Sequence, residues 1–260
     1  SGEMLMTVVP DEETGGACGT KWLFEQGYIR GDWAIVAEPT GMDNIEVGQK
    51  GTMGMDLHAV GQTAHGSLFP YVGDSAVDKL VRLLPQMYQL TELHGTYHGE
   101  QAEVMEASKL KAKAVQKTAG VGNIMDHVTV NIGTIHGGVK RNIVADSATA
   151  ELDVRVPIGV DHQTVIERVE KIIRDSRIEG VHATYDNPRG GNYVSIHDPV
   201  VAVAKSCVKE LLGIDLVAAY QWASSDTRYF REAGISTIQY GPSNTKGIHN
   251  YNETVNTADI

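Results

Sequence analysis

In the stretch "GTMGMDLHAV", residues 51–60, Met53, Met55, Leu57 and Ala59 alternate with Gly54, Asp56 and His58. An apolar period of two residues marks a strand with one buried and one wet face. Working outward, Asp74 opens a helix in which Val77, Leu80, Val81, Leu84 and Met87 keep helical spacing, and Pro85 is expected to kink or shorten it. Alternation returns over Val128–Ile135 and Ala148–Val156, the second with Leu152 and Val154 inward and Glu151, Asp153 and Arg155 outward. Asp161 caps an amphipathic helix carrying Val165, Ile166, Val169, Ile172 and Ile173, and a short strand near Val181–Tyr185 completes the series. The order βαββαβ predicts a four-stranded antiparallel sheet with two helices on one face, a ferredoxin-like sandwich. Residues 91–126 read as loop with some helix.

The flanks follow another pattern. Met4–Val9 reads as a strand, Gly16–Gln26 as a helix closed by Gly27, and Trp33–Ala37 as a second short strand, an alternation that predicts a parallel α/β sheet. Further on, Asp198 and Pro199 open a helix with Val200, Val203, Ala204, Cys207, Val208 and Leu211, stopped by Gly213; strands follow near Leu216–Tyr220 and Ser236–Tyr240. The fold class is therefore α/β, with a lid-like module at 48–190 inserted into a parallel or mixed sheet domain made of 1–47 and 191–260. The chain starts almost directly in a strand-like run, and Thr257, Ala258 and Asp259 resemble a helix cap and first turn, so it reads as a piece of a longer protein.

With 260 residues the chain buries a substantial core, and its net charge of −11, with no Lys/Arg cluster, argues against nucleic acid and anionic membrane as partners. Neither a membrane span nor a secretory signal is legible. Cys18 and Cys207 are too few and too distant for a disulfide framework, so the cytoplasm is the expected location.

Three stretches place polar groups just past an apolar run: "VVPDEETGG" (8–16), "AIVAEPTG" (34–41) and "TIQYGPSNTKGIHNYNE" (237–253). Ligands of open α/β sheets bind at the carboxyl ends of strands, so Glu12, Glu13, Glu38 and His249 can converge on one crevice. Carboxylates with an imidazole suit zinc, and adjacent Glu12 and Glu13 suit a division between general base and metal ligand. Each feature also has a plain alternative: the acidic triplet as a solvated turn, Glu38 as a turn carboxylate before proline, His249 as a solvated loop histidine.

Taken in order, "PDEETGG", "AEPT", "GQKG", "GQTAHGSLFP", "GGVKRNIVADSATAELDVR", "SSDTRYF" and "GPSNTKGIHNYNE" resemble the dinuclear zinc amidohydrolases and exopeptidases that include succinyl-diaminopimelate desuccinylase, acetylornithine deacetylase, aminoacylase and glutamate carboxypeptidase. The resemblance implies a zinc-binding α/β domain with an inserted βαββαβ lid that dimerises. It implies hydrolysis of an amide bond in a small N-acyl amino acid or short peptide with a free carboxylate, using two zinc ions, with cobalt or manganese as alternatives. On that resemblance Glu12 is the general base, Glu13 and His249 are ligands of one zinc, Glu38 is a ligand of the other, and His65 is a lid histidine that stabilises the oxyanion in the partner's active site. Asn142 and Arg228 resemble positions that hold the substrate carboxylate. Arg155 is a further candidate whose plain reading is an exposed arginine on a lid strand. Lys50, Ser225 and Asp226 match motif positions without an assigned role. Glu38, where aminopeptidase members carry aspartate, points to the deacylases and carboxypeptidases. The family's His-x-Asp segment and bridging aspartate would lie before Ser1, which leaves three protein ligands for two ions. The rival reading is a non-catalytic dimeric binding or assembly module.

Overall fold

The computed structural model describes residues 2–242 and 251–259. In chain order they form α1 (Thr20–Glu25), β1 (Trp33–Val36), β2 (Asn44–Gln49), β3 (Gly51–Val60), α2 (Ala76–Met87), α3 (Glu100–Gln116), α4 (Asn123–Asp126), β4 (Thr129–Gly137), β5 (Ser147–Val156), α5 (His162–Ser176), β6 (Val181–Asp186), β7 (Asn192–Tyr193), α6 (Pro199–Leu212), β8 (Val217–Gln221), α7 (Thr227–Glu232) and β9 (Ser236–Gln239). These elements divide between two compact units, one of residues 1–49, 97–125 and 192–260, the other of 50–96 and 126–191.

The second unit is the sandwich expected from the alternation at 51–60. Its sheet runs β4-β5-β3-β6 with every pair antiparallel. Met53, Met55, Leu57 and Ala59 of β3 point into one apolar cluster with Leu152 and Val154 of β5, Leu80, Leu84 and Met87 of α2, and Val165, Val169 and Ile172 of α5, so both helices cover the same face. Ser75 caps α2, accepting from the Asp78 amide at 3.2 Å, while Asp74 pairs instead with the buried Lys79. Pro85 stays inside α2, which continues to Met87. The carbonyl deprived of its donor belongs to Val81, an exposed residue. Asp161 caps α5 as expected, accepting from the Gln163 amide at 3.0 Å.

The first unit holds a five-stranded mixed sheet: β1 pairs β9 in parallel, β2 pairs β8 in parallel, and β2 meets β9 and β7 antiparallel. Two features depart from expectation. Residues 4–9 form no strand, and Met4, Leu5, Met6 and Val8 are exposed, because an apolar run becomes a strand only against a partner edge. Within 91–126, read as loop with some helix, α3 is a 17-residue helix, and residues 97–125 pack with the first unit rather than with the inserted module. A buried ion pair, Lys111 Nζ to Glu46 Oε1 at 2.8 Å, ties α3 to β2, and Ser108 Oγ accepts from the Tyr220 amide of β8 at 2.7 Å.

Candidate active site

The acidic stretch that follows residues 4–9 is a tightly wound loop. Asp11 takes a left-handed conformation, φ 77°, and Glu12–Thr14 make a single 3-10 turn closed by Gly15 at φ 104° and Gly16 at φ 69°. Two amides return to one acceptor: Thr14 N and Gly16 N both donate to Asp11 O, at 3.2 and 2.6 Å. The Asp11 carboxylate accepts from Thr14 Oγ1 and, at 2.8 Å, from the Cys18 amide, and these bonds hold its carboxyl below the usual range. Aspartate tolerates the left-handed region better than most residues because it can bond locally in this way.

This turn sets Glu12 half-buried and Glu13 outward. Burial pushes the Glu12 carboxyl up to about 7, and repulsion from Glu38, then Asp226, then Glu13 adds to the shift, against a smaller pull from Arg228. Glu38, Asp226 and Glu13 are thus near enough to Glu12 to repel its carboxylate. Glu38 lies two residues past the end of β1, where Thr40 N donates to Gly241 O at 3.1 Å and Tyr240 N to Val36 O at 3.1 Å. Those bonds bring the chain after β9 beside Glu38. His249 lies outside the described residues.

The donor chemistry fits a divalent cation. Glu12, Glu13, Glu38 and Asp226 are hard oxygen donors whose mutual repulsion a cation relieves. Among the described residues no three His, Cys, Asp or Glu side chains form a metal-holding group.

In the second unit His65 follows β3 and is exposed, with Asn142 next to it. A Gly66 N to Asn142 O bond of 2.8 Å and a Val144 N to Ala64 O bond of 2.9 Å stitch their loops together. A Cβ on Gly66 would fall 3.1 Å from the Asn142 Cα, so glycine permits the approach. His65 Nδ1 accepts from Ser67 N at 3.3 Å and lies 2.8 Å from Ser67 Oγ, an arrangement that in the neutral ring places the proton on Nε2. The loop pair borders a cleft of about 500 Å³, lined in part by Phe69, Val77, Lys140, Arg141 and Ile143.

Two expected carboxylate binders sit elsewhere or are engaged. Arg155 pairs with Asp153 at 2.9 Å, and its register partner Thr52 stands eight residues along β3 from Val60, roughly 26 Å from the His65 end. It belongs to the polar face of the lid sheet, the plain reading of its position. Arg228, 8% exposed, directs Nη1 to Ser224 Oγ and Ser225 O and Nη2 to Gly15 O at 2.8 Å. Its guanidinium holds the carboxylate loop.

The motif residues without an assigned role acquire surroundings. Lys50 is buried, donates to His127 O at 2.9 Å and Thr129 Oγ1 at 3.3 Å, and is pushed down to about 7, chiefly by burial and then by Arg155. Ser225 enters a buried network in which Gln49 Oε1 accepts from Ser225 N, Ser225 Oγ and Thr227 Oγ1. Thr20, which no motif singled out, donates to Asp226 Oδ2 at 2.6 Å. Its partner is 206 residues away, a separation that no local pattern reveals.

An α/β unit bearing a carboxylate loop, interrupted by a βαββαβ sandwich, is the architecture of metallopeptidases with a dimerising lid. The chain belongs to the M20 peptidase dimerisation domain family, whose model matches residues 47–181. It is 25% identical to aminoacylase-1 of Sus scrofa over 265 residues, covering 97% of this chain and 59% of that protein. It is 32% identical to a probable carboxypeptidase of Aspergillus flavus over 146 residues, covering 55% of this chain and 30% of that one. Among solved structures, a metallo-carboxypeptidase of the M20 family from Sulfolobus solfataricus shares the fold with a TM-score of 0.72 at 18% identity, over 96% of this chain and 65% of that one. The chain thus spans about three fifths of the aminoacylases it matches.

Proposed function

We propose that the protein hydrolyses the amide bond of a small N-acyl amino acid or short peptide with a free carboxylate, in a metal-dependent reaction. The observation that carries this reading is the 3-10 turn that sets a half-buried Glu12 beside an exposed Glu13, with Glu38 near enough to repel the Glu12 carboxylate. Glu13, Glu38 and His249 would hold zinc, two ions completing the site, with cobalt or manganese as alternatives. When bound, zinc supplies Lewis-acid polarisation of the scissile carbonyl and acidifies water. Glu12 takes the proton of the attacking water and hands it to the leaving amine nitrogen. Nε2–H of a partner's His65 donates to the developing oxyanion. Asn142, with Lys140 and Arg141 lining the adjacent cleft, holds the substrate carboxylate.

The same reading makes the protein a homodimer through the 48–190 module, consistent with the matched dimerisation domain. No helix among the described residues is long and apolar enough to cross a membrane, and Cys18 and Cys207 are free and exposed, which suits a cytoplasmic protein.

The test is a panel of N-acetyl and N-succinyl amino acids and dipeptides, each paired with its carboxamide, assayed with the full-length protein. The free acids are expected to exceed their amides in kcat/KM by about tenfold or more, the cost of leaving a carboxylate site unfilled. Equal turnover of acids and amides would contradict recognition of the carboxylate.

A further inference from the structure

Asp226 occupies the N-cap position of α7 yet makes no capping bond to that helix. The residue is buried, 3% exposed. Oδ2 accepts from Thr20 Oγ1 at 2.6 Å, and Oδ1 lies 3.5 Å from Arg228 Nη2. Gly16 leaves that carboxylate its room, since a Cβ there would come within 2.4 Å of Asp226 Oδ1. Arg228 passes the connection on through its 2.8 Å bond to Gly15 O, and Tyr229 adds a hydroxyl bond of 2.5 Å to the same oxygen, its ring 4.7 Å from the Arg228 guanidinium carbon. Asp226 thus packs against Gly16 while Arg228 and Tyr229 bond Gly15, the two glycines that close the turn bearing Glu12.

A buried carboxylate is costly to desolvate, and a well-packed apolar residue stabilises such a site at least as well. One that also repels the neighbouring carboxylates of the loop is poorly explained by stability alone. Resting on the function proposed above, we infer that Asp226 is a positioning residue: with Thr20 and Arg228 it fixes the Gly15–Gly16 closure of the carboxylate loop and thereby the place of Glu12. It touches no substrate, and its effect reaches the reaction through Glu12.

Thr20→Val removes the hydroxyl that donates to Asp226 while keeping the side chain's shape, and Thr20→Ser keeps the hydroxyl. In the full-length protein Thr20→Val is expected to lower kcat by about tenfold, as for other residues that orient a reacting group from behind, with KM and bound zinc close to wild type and Thr20→Ser restoring kcat. Amide exchange should accelerate selectively across residues 11–19 and not in the lid. Asp226→Asn, which keeps the volume, should show the same pattern and serves if Thr20→Val fails to fold. Wild-type kcat and wild-type exchange in these variants would overturn the inference. So would a kcat loss that only follows the fraction folded, with exchange raised throughout. If the wild-type protein hydrolyses no member of the panel, the functional reading fails, while the exchange comparison still decides the clamp.

Discussion

Glu12→Gln in the full-length protein is expected to leave bound metal near wild type and to lower kcat by about a hundredfold or more, the loss that accompanies removal of a general base. The amide fills the same volume and keeps an acceptor but takes up no proton. Glu13→Gln should behave differently. Glu13 is exposed on the outer side of the same 3-10 turn, suited to a ligand, and its variant should lose metal first and activity in consequence. Metal analysis beside steady-state kinetics separates the two roles. If both variants lost metal equally, or both kept metal and activity, the division between base and ligand would be wrong.

The second large effect concerns His65. It follows the β3 strand of the lid, and among the described residues its ring bonds to Ser67. On the function proposed above, a homodimer through the lid would make it a donor to the partner's site. Mixing Glu12→Ala and His65→Ala proteins by unfolding and refolding then produces heterodimers with one doubly damaged site and one intact site. Each parent should be nearly inactive. Random reassortment makes half the dimers mixed, so the mixture should regain about a quarter of wild-type activity. No recovery would mean that His65 serves its own chain or none.

The lid was legible because its residues obey one period per element. Met53, Met55, Leu57 and Ala59 are all buried and their neighbours are not, so residue type alone assigns the face. α3 escaped notice for the opposite reason. Its inner stripe is Val104, Ser108 and Ala112 with the buried Lys111 beside it, and a serine and a lysine on the packed side erase the apolar period. Strand β2 was hidden likewise, since Glu46 and Gln49 are buried along with Ile45 and Val47. Residues 4–9 erred the other way: strand composition predicts a strand only where an edge is available to pair.

At the candidate site, sequence singled out the acidic groups and missed the residues that hold them. Glu12, Glu13 and Glu38 are conspicuous as acids beside apolar runs. Thr20 and Gln49 are ordinary residues whose partners, Asp226 and Ser225, lie 206 and 176 positions away. Arg228 resembles, in sequence, a position that holds the substrate carboxylate, yet its donors are directed to Ser225 and to the loop it supports.

The most direct test of the account is metal removal and return. The full-length protein is assayed on an N-acetyl amino acid before chelation, after it, and after stepwise addition of zinc, with bound metal counted at each stage. Hydrolysis should fall in proportion to metal lost and return as zinc is restored, and Glu12→Gln should take up the same zinc without regaining turnover. Hydrolysis that persists after complete metal removal, or zinc that binds fully to the wild-type protein without any hydrolysis, would contradict it.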